Sequence, residues 1–400
     1  MPKELTPYQL AEQKIADALR SGATELDLSN PQYKDPKPPQ LTELPDSLWQ
    51  LTQLTNLNLS SNQLTTLPDS LGQLTQLTTL YLSDNRLTTL PDSLALAQLT
   101  QLTKLNLSSN QLTALPDSLG QLTQLTSLDL SSNQLTALPD SLGQLTQLTS
   151  LDLSSNQLTA LPDSLGQLTQ LRTLYLHGNQ LVKLPESFGD LAQLTWVSLF
   201  SNKLVLLPES ICQLAKLEYL DLGDNQLTRI PDLLGQCIQL QDIALYSNQI
   251  INLPTSLAQL EHLTRFRLSG NPLNPVLKSA YDQGLDAVKA YLRSLEQNAE
   301  PLYEAKLVLV GEGNVGKTTL LKALKNEKGE GAPKKDERTT HGVEIDIHGL
   351  RLPHPEKDGV EIQLNAWDFG GQDVYRVTHQ FFFSRRSLYL LVWEPRRGVQ

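Results

Sequence analysis

One sequence feature constrains this chain more than any other: most of it repeats every 23 residues. Residues 111–133 read QLTALPDSLGQLTQLTSLDLSSN, and residues 134–156 are the same 23 letters. The repeat is marked by ten asparagines, spaced by 23 residues except for one step of 25: Asn62, Asn85, Asn110, Asn133, Asn156, Asn179, Asn202, Asn225, Asn248 and Asn271. A single such unit cannot bury its apolar face, so the units must stack on one another as a solenoid.

Each repeat follows the pattern L-x-x-L-x-L-x-x-N-x-L-x-x-L-P, as in residues 54–68. This is the leucine-rich-repeat pattern. Leucines in L-x-L point inward from a short strand and the intervening residues point outward. The asparagine is predicted to be buried and to donate and accept hydrogen bonds with backbone groups of adjacent turns. Ten strands at ~4.8 Å spacing predict a concave face roughly 50 Å long.

Both ends of the repeat array look capped. Residues 8–20 predict an amphipathic helix over the first repeat, and residues 26–28 predict an early strand. Residues 276–297 predict one closing helix, with an apolar side formed by Val276, Ala280, Leu285, Val288, Tyr291, Leu292 and Leu295. We therefore expect a helical cap at 1–25, the solenoid at 26–272, a helical linker at 273–300 and a second domain at 301–400.

Charge and cysteine content exclude several classes of protein. Residues 1–300 carry 29 Asp and Glu against 17 Lys and Arg, which argues against binding to nucleic acid or anionic lipid. No 18-residue apolar run occurs, so we expect no membrane span. The two cysteines, Cys212 and Cys237, lack neighbours at metal-ligand spacing and are predicted to be core thiols. These features favour a cytoplasmic location.

Outward strand positions change character along the solenoid. In the middle repeats they are Asn, Asp and Ser, whereas later they become aromatic and basic: Tyr175, His177, Trp196, Phe200, Tyr219, Tyr246, Arg265 and Arg267. Exposed aromatic side chains on a rigid face are typical anchors for a protein partner. The alternative is that this face packs on the chain's own downstream domain, and the sequence leaves both open. His177 is interpreted as a surface side chain.

A phosphate-binding motif begins at residue 311. A strand predicted at 306–310 runs into Gly311-Glu312-Gly313-Asn314-Val315-Gly316-Lys317-Thr318, which fits G-x-x-x-x-G-K-[ST], and a helix is predicted over 319–325 from Thr319 onward. Backbone N–H groups of such a loop converge on phosphate oxygens at a helix N-terminus. Lys317 is predicted to reach the β- and γ-phosphates, and the Thr318 hydroxyl to bind Mg²⁺.

A second motif selects among phosphate-binding enzymes. A strand over 360–367 ends in Asp368-Phe-Gly-Gly371-Gln372, and D-x-x-G-Q after a strand is the pattern that Ras-type GTPases use. Asp368 is predicted to hold Mg²⁺ through water, the Gly371 amide to contact the γ-phosphate, and Gln372 to orient the attacking water. The same letters spell the kinase D-F-G, but no H-R-D loop precedes them.

The first switch threonine is predicted between these motifs. Thr340, just before a further strand, is preferred as the Mg²⁺ ligand over its neighbour Thr339.

Repeats, a helical linker and a P-loop followed by D-F-G-G-Q resemble the Roco family, whose members combine repeats, a Roc domain and a COR domain. The resemblance is nearest to the prokaryotic members. It implies an α/β fold, a leucine-rich-repeat solenoid followed by a P-loop Ras-like GTPase domain, with GTP or GDP and Mg²⁺ as ligands. It also implies a repeat arm for protein interaction, and homodimerisation through the COR domain.

The end of the sequence departs from that pattern. Residues 387–393 predict the fourth strand of a Ras-like sheet, but no N-K-x-D-type guanine motif and no COR segment follow. We therefore expect a chain that is truncated within an incomplete Roc domain, and homodimerisation only through the missing COR segment.

The leading hypothesis is a GTP-hydrolysing switch in intracellular signalling, with Lys317 and Gln372 as catalytic residues. One alternative is a protein-binding scaffold whose partial nucleotide domain is inactive, and another is a signalling ATPase. Turnover separates the switch from the scaffold, and base preference separates it from the ATPase.

Overall fold

A computed structural model of the chain describes residues 5–30, 40–91, 94–297, 304–310, 320, 343–353, 361–369 and 387–391. The chain divides into two compact units, Met1–Asn298 and Ala299–Gln400. Each unit has its own sheet.

The first unit is a leucine-rich-repeat solenoid, as the sequence predicts. Within its described residues, eleven strands of three residues pair in chain order as one parallel sheet. They are β1 (Glu25–Asp27), β2 (Asn56–Asn58), β3 (Thr79–Tyr81), β4 (Lys104–Asn106), β5 (Ser127–Asp129), β6 (Ser150–Asp152), β7 (Thr173–Tyr175), β8 (Trp196–Ser198), β9 (Tyr219–Asp221), β10 (Asp242–Ala244) and β11 (Arg265–Arg267). Each strand pairs with the one a repeat later, so residues 23 apart in sequence lie side by side in the regular repeats.

Short 3₁₀ helices follow the proline of the regular repeats and return the chain to the next strand. They are Asp46–Gln50, Asp69–Gln73, Asp117–Gln121, Asp140–Gln144, Asp163–Gln167, Glu186–Asp190, Glu209–Gln213, Leu234–Gln236 and Thr255–Gln259. The repeat with two extra residues forms an α-helical turn instead, α2 (Leu94–Ala97). The third residue of a typical 3₁₀ helix, such as Leu142, is buried in the core.

The asparagine of each repeat forms hydrogen bonds that join neighbouring turns. Asn133 donates from Nδ2 to the carbonyls of Leu107 and Leu130 at 3.0 and 3.1 Å, and its Oδ1 accepts from the Leu112 N–H at 3.0 Å. The residue before it, Ser132, has φ of 53°, in the left-handed region. The prediction of a buried, hydrogen-bonded asparagine is confirmed, although Asn271 in the last repeat is only half-buried.

The N-terminal cap is one helix, α1 (Pro7–Ser21), as predicted. Thr6 and Gln9 form a capping box, and Gly22 ends the helix with φ of 65°. Its buried face, which includes Ile15, packs on the start of the solenoid core.

The prediction of a single C-terminal helix over 276–297 is wrong. Gly284, with φ of 111°, separates α3 (Pro275–Gln283) from α4 (Leu285–Gln297). The predicted apolar side is also partly wrong, because Val276 is 60% exposed and Leu295 41% exposed. The break turns different faces of the two short helices to the core, where Val288 is buried.

Helix α4 closes the solenoid with polar contacts as well. The Lys289 ammonium donates to the Leu260 carbonyl at 2.7 Å, and Arg293 donates to the Ala258 carbonyl at 3.3 Å. These carbonyls belong to the last repeat, which has no following repeat to pair with. The cations therefore satisfy backbone groups that the end of the array leaves open.

Both cysteines lie in the core of the first unit, as predicted. Burial raises the pKa of the Cys212 thiol to about 11 and that of Cys237 to about 12. A raised thiol pKa lowers the thiolate fraction, so both side chains are unreactive packing groups in the folded chain.

The second unit contains a four-stranded sheet among its described residues, in the order β13-β14-β12-β15. The strands are β12 (Glu304–Val310), β13 (Val343–Pro353), β14 (Glu361–Phe369) and β15 (Ser387–Leu391). β12 is parallel to both β14 and β15, whereas β13 runs antiparallel to β14. The predicted strands are therefore present, and Leu307 of β12 is buried.

No helix in the described part of the chain has the length and apolar character needed to cross a membrane.

Candidate functional site

The first candidate site lies at one edge of the second unit's sheet. β12 and β14 are adjacent parallel strands, and Leu309 pairs with Asp368. The phosphate motif starts at Gly311, directly after β12 ends at Val310, and the D-x-x-G-Q motif starts within the last two residues of β14. Parallel strands bring their carboxyl ends to the same edge, which is where open α/β sheets bind ligands.

Most of the predicted nucleotide-site residues lie outside the described residues. This holds for Gly311, Glu312, Gly313, Asn314, Val315, Gly316, Lys317, Thr318, Thr319, Thr339, Thr340, Gly371 and Gln372. Asp368 lies within β14, between Leu309 of β12 and Glu344 of β13. The roles of all these residues stay predictions, and the register fixes only that the two motifs leave neighbouring strands at one edge.

The second candidate site is on the concave face of the first unit, where aromatic rings stack across strands. Trp196 and Tyr219 are register partners, and their rings lie parallel with centroids 3.7 Å apart. His177 and Phe200 form a second parallel stack at 4.7 Å. Because the stacked rings cover each other, they are less exposed than their outward strand positions predict. Among the aromatic residues predicted as anchors, Trp196 is exposed, at 39%, and the others are half-buried.

Two buried carboxylates belong to the same strands, Asp221 at the end of β9 and Asp242 at the start of β10. Asp221 accepts from the Tyr219 hydroxyl at 3.1 Å and from the Gly223 N–H at 2.9 Å. Asp242 is paired with Arg267 at 2.9 Å and approached by the Arg265 Nε at 3.6 Å. Burial and the Asp221 charge raise the pKa of the Tyr219 hydroxyl, which therefore stays protonated and keeps donating.

Sequence analysis missed both carboxylates as part of this face. The signal was available, because in a 23-residue repeat Asp242 lies beside Arg265 and Trp196 lies beside Tyr219. Tyr246 leans over Gly223, where an added Cβ would lie 2.1 Å from the ring. The result is a fixed surface in which each ring or arginine is held by a neighbour.

Comparison with known families agrees with both units. Residues 306–400 match the family described as "Ras of Complex, Roc, domain of DAPkinase". Leucine-rich-repeat families match residues 40–87, 75–135 and 123–181, and a leucine-rich repeat region matches residues 163–296. The chain is thus a leucine-rich-repeat protein with a Ras-like GTPase domain of the Roc type.

Some curated relatives are named for a Roc domain. The chain is 40% identical over 136 residues to a Roc-COR-CHAT protease from an unknown prokaryotic organism, which covers 31% of this chain and 13% of that protein. It is 37% identical over 138 residues to the probable serine/threonine-protein kinase pats1 of Dictyostelium discoideum, covering 32% of this chain and 4% of that protein. The matched segments therefore span a small part of these relatives. The chain thus has the Roco-type architecture of leucine-rich repeats followed by a Roc domain.

Solved structures resemble the repeat unit. The leucine-rich effector YopM from Yersinia pestis has a TM-score of 0.52 and 29% identity, covering 66% of this chain and 65% of that one. A chain of the Toll–Spatzle complex from Drosophila has a TM-score of 0.53 and 29% identity, covering 59% and 32%. These similarities agree with the solenoid fold.

Proposed function

We propose that this chain binds and hydrolyses GTP as a molecular switch in signalling, and that its solenoid is the arm that binds protein partners. The observation that carries the proposal is the Leu309–Asp368 register, which brings the ends of β12 and β14 to one edge. Two motifs with complementary roles in phosphoryl transfer leave the sheet there. The Roc match favours a guanine nucleotide over an adenine nucleotide.

The donor set fits a magnesium nucleotide. Thr318, Thr340 and Asp368 offer hydroxyl and carboxylate oxygens, which are the ligands that Mg²⁺ prefers. When bound, Mg²⁺ supplies positive charge that offsets the charge of the β- and γ-phosphate oxygens. The loop amides from Gly311 to Gly316 bind phosphate oxygens.

Hydrolysis requires an oriented water and stabilised charge. In this proposal Gln372 orients the water that attacks the γ-phosphate, and Lys317 stabilises the charge that moves toward the leaving oxygen. The Gly371 amide contacts the γ-phosphate and loses that contact on hydrolysis, so the segments around Thr340 and Gly371 relax. The relaxed segments are then the signal to a partner.

The test is binding of a fluorescent GDP analogue to the full chain with Mg²⁺, competed with GTP and with ATP. We expect displacement by GTP but not ATP, loss of binding in Lys317→Ala, and unchanged binding in Lys104→Ala, a matched exposed lysine on β4. Displacement by ATP at equal concentration would favour an ATPase.

Turnover is measured separately as phosphate release from GTP. We expect Gln372→Ala to lower it at least ~10-fold while nucleotide binding persists. Absence of nucleotide binding by the folded chain contradicts the switch and leaves a protein-binding scaffold.

A further inference from the structure

The concave face of the last repeats combines stacked rings with arginines held by buried acids. We call it the aromatic–arginine patch and define it by Trp196, Tyr219, Tyr246, Arg265 and Arg267. Its rings and Arg267 are fixed by neighbours, namely the Trp196–Tyr219 stack, the Tyr219–Asp221 hydrogen bond and the Arg267–Asp242 ion pair. A surface held in this way loses little conformational entropy when a partner binds.

The patch has two different ends. The first residues of β8, β9, β10 and β11 lie in one row across the sheet: Trp196, Tyr219, Asp242 and Arg265. Trp196 is exposed at one end, Asp242 is sunk in the face at 6% exposure, and the Arg265 side chain is 77% exposed at the other end. Three strand spacings of ~4.8 Å separate the exposed indole from the exposed guanidinium by roughly 14 Å.

The exposed charges of the patch are all positive. On strands β7 to β11, every residue of which the structure describes, the exposed ionic side chains are Arg265 and Arg267, whereas Asp221 and Asp242 are buried. Three ionic side chains are exposed just outside these strands: Arg172 before β7, Glu218 before β9 and Asp224 after β9. Within the strands themselves, the exposed positive side chains therefore lie at the β11 end, in a unit that is acidic as a whole.

We propose that the aromatic–arginine patch binds an extended peptide segment of a partner protein that carries a carboxylate about four residues from an apolar anchor. The carboxylate pairs with Arg265, whose planar guanidinium suits two parallel hydrogen bonds, and the anchor packs on Trp196. The ~14 Å between the two ends matches about four residues of extended chain at ~3.3 Å each. The proposal rests on the protein-binding role given above to the solenoid and adds the chemistry of the partner.

The test selects dodecapeptides from a random phage-displayed library on the immobilised full chain. Enriched peptides are synthesised, labelled and titrated by fluorescence anisotropy against four variants. Trp196→Ala and Arg265→Glu remove the two ends of the patch, while Arg267 is left in place because it neutralises the buried Asp242. Tyr81→Ala, at the same 39% exposure, and Lys104→Glu are matched controls on β3 and β4.

We expect enriched peptides to share an acidic residue three to five positions from an aromatic or large aliphatic residue. Their affinity should fall at least ~10-fold for Trp196→Ala and Arg265→Glu and change less than about twofold for the controls. Replacing the peptide acid with lysine should restore binding to Arg265→Glu, an outcome that mere loss of folding cannot produce.

Enrichment of peptides without acids, equal binding to all variants, or no enrichment overturns the proposal. Nucleotide titration of the same samples keeps the two proposals distinct. If no peptide is enriched on the wild-type chain and Arg265→Glu still binds the GDP analogue, the peptide site is refuted and the switch proposal is unaffected. Peptide binding that depends on Trp196 and Arg265, with no GDP-analogue binding by the wild-type chain, refutes the switch and leaves the peptide site intact.

Discussion

At the scale of single residues, the asparagine ladder shows how a repeated polar group stabilises an apolar core. Asn133 hydrogen-bonds to four backbone groups of two turns, and three of these bonds are buried in the solenoid interior. Its removal leaves a buried N–H and two buried carbonyls with one partner fewer each, and unpaired buried groups are costly. A methyl group in its place cannot replace any of these bonds.

We therefore expect Asn133→Ala to lower the free energy of unfolding by about 3 kcal/mol. The identical repeat supplies an internal replicate, since Asn156 makes the same three bonds at 3.0, 3.1 and 3.0 Å. Gln134→Ala, at an exposed neighbour, is the control and should change stability by less than ~0.5 kcal/mol. Urea unfolding followed by circular dichroism measures all three, and a loss equal to that of the control would refute the ladder's role.

The ladder was predictable from sequence because it depends on the repeat alone. The acids Asp221 and Asp242 were harder, since the middle repeats carry Asp129 and Asp152 at outward positions and leave them half-buried. Burial of an acid there depends on which aromatic or cationic side chain stands in neighbouring strands. The burial of these acids therefore depends on tertiary structure, although the 23-residue spacing predicts which residues are their neighbours.

At the scale of elements, the 3₁₀ helices of the middle repeats lie so close together that a glycine occupies the position between them. A Cβ on Gly143 would lie 2.5 Å from the Ser164 carbonyl oxygen of the next helix. Where Cys212 occupies the equivalent position, the following helix is reduced to three residues, Leu234–Gln236, and the thiol contacts the Leu233 backbone. Trp49 occupies the same position in Asp46–Gln50, yet the next helix there, Asp69–Gln73, keeps five residues, so the effect of a side chain depends on its local neighbours.

Gly143→Ala should consequently destabilise the chain by about 1–3 kcal/mol, because backbone of the neighbouring helix must move. The exposed Gln144 of the same helix is the comparison, and Gln144→Ala should be close to neutral. Thermal melts of both variants measure the difference. An unchanged melting temperature for Gly143→Ala would show that the helices can separate without cost.

The closing helices show where element prediction failed. A glycine inside a helical pattern costs only ~1 kcal/mol relative to alanine, so periodicity gave no reason to stop at Gly284. The helix is broken because Gly284 adopts a φ of 111°, which lets α3 and α4 each pack a separate face on the last repeat. The helix–core contacts that impose this break lie outside any local sequence window.

At the scale of the whole molecule, the sequence predicts the structure of the first unit more completely than the residue roles in the second unit. In the first unit the strands from β2 to β11 follow from one repeated pattern, and nearest-neighbour contacts stabilise the array. In the second unit the strand order places two motifs at one sheet edge, but motif identity, more than geometry, carries the roles of Lys317 and Gln372. The repeat therefore offers the sharper test of how the molecule is built.

Excision of residues 134–156 should leave a folded chain. Because residues 111–133 are identical to the excised segment, Asn133 would precede Gln157 as Asn156 now does, and every new neighbour pair already exists in the chain. A nearest-neighbour solenoid loses one repeat and one interface, so the urea m-value should fall by about one-tenth.

The control is excision of residues 134–145, which is half a repeat and places leucines of one turn against the wrong positions of the next. That variant should lose the cooperative transition. The full-repeat excision should also keep peptide and GDP-analogue binding, because β7 to β11 and the second unit are unchanged in sequence. Equal damage from both excisions would show that stability of the solenoid depends on its total length or on contacts beyond adjacent repeats.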